Sequence, residues 1–64
     1  MVTKKEFPDR IVYLNENGQL HREDGPAVEY SHGDKYWWLN GEYYTEEEFH
    51  QELIKLKLKR LVEL

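Results

Sequence analysis

The chain has 64 residues, a net charge of −4 and no cysteine, with 14% aromatic and 34% charged residues. A single small domain follows, near the size at which only about 60% of the unfolded surface can be buried, so a few large rings or a partner must carry the core. Disulfides, thiolate metal sites and thiol catalysis are excluded, and no stretch approaches the roughly 20 apolar residues that span a bilayer.

Residues 1–9 surround one ring, Phe7, with charges and Pro8, and predict a flexible N-terminal arm that only this ring ties down. Residues 10–44 predict a β-meander. Arg10 to Leu14 is β-branched and aromatic and stops at the turn Asn15-Glu16-Asn17-Gly18. Gln19 to Arg22 reads as a return strand. Glu23-Asp24-Gly25-Pro26 then reads as a second reversal, with Gly25 free to take positive φ and Pro26 opening the next strand. Ala27 to Tyr30, the turn Ser31 to Asp34, and Lys35 to Leu39 follow. Asn40-Gly41 is the strongest hairpin signal in the chain, because both central positions of a type I′ turn need positive φ. Strand alternation separates Tyr36 and Trp38 from Trp37 and Leu39.

At Thr45 the period changes. Thr45-Glu46-Glu47-Glu48 has the pattern of a capping box, and its acids suit the positive end of a helix dipole. Residues 45–64 therefore predict one amphipathic helix, although Ile54 to Lys59 alternates with period two and is also compatible with a strand. Ile54, Leu58, Leu61 and Val62 follow helical spacing. Phe49, Leu53, Leu56 and Leu64 widen the apolar sector past half the circumference, which predicts burial on two sides: one against the sheet, the other against a second copy through Leu53, Leu56, Leu58 and Leu61. The fold class is thus α+β, an antiparallel meander of about four to five short strands followed by one C-terminal helix, expected as a homodimer.

Leu14 to Leu20 and Leu39 to Tyr44 are variants of one phrase, about 25 residues apart, a spacing typical of repeat architectures. Between them His21-Arg22-Glu23-Asp24-Gly25-Pro26-Ala27, and the Trp-x-Leu-Asn-Gly that follows, resemble the hairpin repeat found in tandem in small phage, prophage and giant-virus proteins, itself loosely similar to MORN-type repeats. The match spans Leu14 to about Phe49 and includes one full unit, with the Thr45 cap replacing the next charged turn. The resemblance implies a sheet-like binding surface, a terminal unit of a longer array, and a phage origin with the host cytoplasm as its setting. It implies no common activity. The Met1 to Lys5 opening also lacks the apolar run of a secretion signal.

His21, Arg22, Glu23 and Asp24 place an acid, a base and a cation within four residues, yet a polar turn accounts for them without chemistry, and no catalytic residue is assigned. The three histidines lack ligand spacing on any one element, so neither a metal nor another cofactor is expected. From residue 16 to residue 52 ten acids stand against Arg22 and Lys35. That acidic body argues against direct nucleic-acid contact, because phosphate must meet cations. The expected function is a non-enzymatic protein–protein interaction module. In its sharpest form it is a phage-encoded inhibitor of a host defence protein, similar to an anti-CRISPR, that sets an acidic surface against the basic channel of a nucleic-acid-binding effector. Glu23, Asp24, Glu46 and Glu47 would supply the charge, and Tyr36, Trp37 and Tyr43 the aromatic anchors. The alternatives are a capping module with no host target, or an aromatic-face binder of nucleic acid or a small ligand.

Overall fold

The structure, a computed structural model, describes residues 2–62. Strands β1 (Thr3–Glu6), β2 (Arg10–Leu14), β3 (Val28–Tyr30), β4 (Lys35–Leu39) and β5 (Glu42–Tyr44) form one antiparallel sheet in chain order, and helix α1 (Glu46–Val62) follows. The α+β meander ending in a helix is therefore the fold. Met1, Glu63 and Leu64 lie outside the described residues, and with them the last two positions of the expected 45–64 helix.

Thr3 to Glu6 correct the expectation of a loose arm. Lys4 pairs with Tyr13 and Lys5 with Val12 across an antiparallel ladder, closed by a tight turn in which the Phe7 N–H donates to the Arg10 carbonyl at 2.7 Å. Thr-Lys-Lys-Glu carries no apolar alternation because it is an exposed edge strand held by main-chain bonds, and its lysines keep that edge from recruiting another chain. Phe7 is 44% exposed, and its ring lies 5.0 Å beneath the Arg10 guanidinium.

The segment from Gln19 to Ala27 is the second correction, since the chain does not reverse at Glu23–Pro26. It runs in one direction through the slot between β2 and β4. Leu20 bridges Leu14, and the His21 N–H donates to the Tyr13 carbonyl at 2.9 Å. The Arg22 N–H still donates to the Trp38 carbonyl at 3.2 Å, and residues 23–26 then leave the slot. Ala27 rejoins it, accepting from the Tyr13 N–H at 2.8 Å and donating to the Tyr36 carbonyl at 2.9 Å. The predicted second and third strands are thus two halves of one interrupted strand, and the polar run between them is an excursion. Turn-forming residues mark both kinds of break, so local sequence cannot separate them.

Gly25 is correspondingly not among the positive-φ residues. It is small for another reason: a Cβ there would stand 3.0 Å from Cζ of Arg22. At the Asn40-Gly41 turn the expectation holds, with φ of 50° and 82°. The two Leu-Asn phrases end β2 and β4, the strands on either side of β3, at the same end of the sheet. Asn15 Nδ2 donates to Asn40 Oδ1 at 3.3 Å, and the Gly41 N–H donates to the Leu20 carbonyl at 2.9 Å.

Register assigns the faces, because directly opposed residues share one. Val12 opposes Val28, Val28 opposes Tyr36, and Trp38 opposes Tyr43. These form one face. Tyr13, Glu29, Trp37, Leu39 and Tyr44 belong to the other. Helix α1 packs on β4 and β5 from that second side, where Leu39 and Tyr44 line a groove with Glu52 and Leu56.

The helix begins with the reciprocal cap expected of Thr45. The Glu48 N–H donates to Thr45 Oγ1 at 3.2 Å, and the Thr45 N–H donates to Glu48 Oε1 at 3.1 Å. It continues through the period-two stretch to Val62. At about 100° per residue, Phe49, Leu53, Leu56 and Arg60 fall on one side of the helix, while Ile54, Leu58, Leu61 and Val62 fall nearly opposite. Phe49 is 1% exposed and is the largest fully buried side chain. Among the described residues, Val12, Ala27, Val28 and Leu39 complete the buried apolar set.

Candidate functional site

Every polar side chain of the run from His21 to Asp24 is engaged inside the fold. Arg22 is its centre. Its guanidinium donates to Asp24 Oδ1 at 2.9 Å, to the Pro26 carbonyl at 3.1 Å and to Glu29 Oε1 at 2.8 Å, and it lies 4.0 Å over the ring of Tyr13. Burial, the largest single influence on its acidity, pulls the pKa down, but the hydrogen bonds to Asp24 and Glu29 together hold it above the usual value. His21 is buried. Its Nδ1 accepts the Asn40 N–H at 2.9 Å, which leaves the proton on Nε2 to donate to Glu23 Oε2 at 3.2 Å. The ring thus ties the excursion to the β4–β5 hairpin. Both ring nitrogens of the buried His21 and the Nε and Nη1 of Arg22 are thus committed to partners within the chain.

Glu23 extends this knot to the helix. Arg60 grips both of its oxygens, the Nη1 to Oε1 bond being 2.7 Å, so the far end of α1 is latched to the excursion. The hydrogen bond from Arg60 lowers the Glu23 pKa most, with His21 adding to it against the opposing effect of burial. A carboxylate whose folded pKa is depressed adds stability that is fully present above the ordinary Glu value of about 4.3 and is lost as pH falls from there through the lowered folded value. Glu23→Gln is therefore expected to be less stable than the parent at neutral pH and to converge with it in acid. Urea midpoints measured across that range check this, and a constant gap would assign Glu23 a role independent of its charge.

The expected binding residues do not form one site. Glu23 is bound to Arg60, and the exposed Asp24 to Arg22. Glu46 and Glu47 are exposed at the start of α1, where Glu46 lies 3.9 Å from His50. Tyr36 and Tyr43 share the uncovered sheet face, their ring centroids 6.0 Å apart. Trp37 does not join them: it is half-buried on the helix side. That is a correction, because adjacent residues of a strand point to opposite faces. Trp38 takes its place, 5.6 Å from Tyr43, and its Nε1 is buried without a hydrogen-bond partner among the described residues. Tyr30 completes the row, 5.8 Å from Tyr36. The i, i+2 spacing from Tyr36 was the signal for Trp38, and nothing local announced Tyr30.

The expected dimer seam also divides. Leu53 and Leu56 are half-buried on the sheet side of α1, whereas Leu58 is 56% and Leu61 67% exposed. Ile54 and Val62 extend the outer stripe. Among the described residues no group of three His, Asp or Glu side chains is placed to hold a metal ion, and no helix is long and apolar enough to cross a membrane. Comparison with protein-family models, curated proteins and solved structures finds no match to this chain.

Proposed function

We propose that the chain is a non-enzymatic protein–protein interaction module that pairs with a second copy through the outer stripe of α1. The observation that supports this is the row Ile54, Leu58, Leu61 and Val62, each at least 56% exposed, along one side of a helix whose opposite side is docked. Apolar residues continuous over two turns and facing away from their own core are the usual mark of an interaction seam. Lysines flank the stripe. Lys55 is held by Glu52 at 3.2 Å, which reduces the repulsion between two such helices without removing it.

Two outcomes are expected in solution. The mass determined by light scattering corresponds to a dimer, and Leu58→Glu returns it to that of a monomer while the circular dichroism spectrum stays folded. Added salt strengthens the pairing, because it screens the lysines brought together at the seam. A parent protein that is monomeric at every concentration would overturn this reading.

Glu46 and Glu47 favour a second partner surface. They are exposed acids at the helix start, whereas Glu23 and Asp24 are bound to Arg60 and Arg22. Inhibition of a basic host effector by a phage-encoded protein would therefore use the helix start. Reversing both charges should weaken capture of such a partner more than Asp24→Asn does.

A further inference from the structure

The sheet face opposite α1 has a composition that overall charge conceals. Its strand residues are Thr3, Lys5, Arg10, Val12, Leu14, Val28, Tyr30, Tyr36, Trp38 and Tyr43, as the register dictates. The three strand acids, Glu6, Glu29 and Glu42, oppose Ile11, Lys35 and Leu39 and so lie on the helix side. The strand acids thus lie on one side of the sheet, while Asp9 and Asp34 reach the edges of the other through Arg10 and His32. The uncovered face joins four aromatic rings at its β3–β5 end to two cations at its β1–β2 end, with no strand carboxylate among them.

We propose that this face binds single-stranded nucleic acid, with unpaired bases against Tyr36, Trp38 and Tyr43 and the phosphate backbone directed to Lys5 and Arg10. The site goes beyond the protein-pairing seam and is separate from it, on the other side of the sheet from α1. Tyr36 is 36% and Tyr43 51% exposed, so both rings present surface to a ligand, and every base offers a π-face to such rings whatever its sequence. Lys5 is exposed on the edge strand. Arg10 holds Asp9 at 3.0 Å, and a phosphate must displace that exposed carboxylate to use it. The net charge of −4 sets this apart from a basic groove for duplex DNA. Recognition depends on stacking plus two cations, and a paired duplex keeps its bases out of reach.

The test uses the full chain with Trp37→Phe, which leaves Trp38 as the sole indole reporter. Fluorescence is followed while oligo-dT or oligo-U is added at low salt. The expected result is quenching of Trp38, with an affinity that falls as salt rises. Tyr43→Ala should weaken binding at least about fivefold, and Lys5→Gln should reduce the slope of log affinity against log salt by about 0.7. Leu58→Glu should leave binding unchanged, so failure of the dimer seam and failure of this site are read separately. Lack of quenching at low salt, equal binding of a duplex, or full binding by Tyr43→Ala would overturn the proposal. So would a dimer abolished by Tyr43→Ala, since the face would then belong to a second copy.

Discussion

Phe49→Ala is expected to destabilise the domain by about 3–5 kcal/mol, the usual cost of emptying a fully buried phenylalanine site. The ring is 1% exposed and is the only side chain of α1 that is completely buried, so it anchors the helix to β4 and β5. A core in a chain this short rarely supplies more than roughly 3–5 kcal/mol in all, and the variant should therefore be largely unfolded at room temperature. Urea denaturation followed by far-ultraviolet circular dichroism measures this. Ile54→Ala is the control: Ile54 is 60% exposed, and its loss should stay within about 0.5 kcal/mol in dilute monomeric protein. A Phe49→Ala midpoint close to that of the parent would mean that the helix is not docked through this ring.

Arg22→Ala carries the second largest expected effect, about 2–3 kcal/mol. Charge-assisted hydrogen bonds to Glu29 and to the Pro26 carbonyl disappear together, and the stack on Tyr13 goes with them. The bond to Asp24 adds little, because that carboxylate is 86% exposed and solvent screens it. Arg22→Lys should recover less than half of the loss, since an ammonium lacks the planar fork that reaches these acceptors from separate nitrogens while stacking on the Tyr13 ring. Gly25 supplies an internal check. Gly25→Ala pushes a Cβ against the guanidinium, so it should destabilise the parent and be nearly silent when Arg22 is already alanine. Equal cost in both backgrounds would return Gly25 to a backbone role and remove Arg22 from the centre of the knot.

These variants bear on how the run from His21 to Ala27 should be read. As a string it offers acid, base and cation, the raw material of a catalytic cluster. Folded, it is a polar staple that lets one strand leave its slot and return, with Ala27 fully buried at the point of return. Arg22, Asp24 and Glu29 satisfy one another, His21 caps the neighbouring hairpin, and Glu23 catches the helix. The tethering of Glu23 to Arg60, 37 residues later, has no local signature, because neither residue's neighbourhood specifies a partner that distant.

Local chemistry was enough to specify the Asn40-Gly41 turn, the reciprocal cap at Thr45, the helix as far as Val62 and the meander itself. Each depends on φ preference, capping geometry or side-chain periodicity within a few residues. Alternation also placed Trp37 opposite Tyr36 in advance, although the expected site still grouped them. Only the tertiary structure decided that Thr3 to Glu6 is an edge strand, that residues 20–30 are one interrupted strand, and that the strand acids and the open aromatic rings occupy opposite sides of the sheet. Those outcomes depend on register and on which face the helix covers. Both are set by pairing between distant segments, where main-chain hydrogen bonds and burial outweigh the preferences of any single stretch.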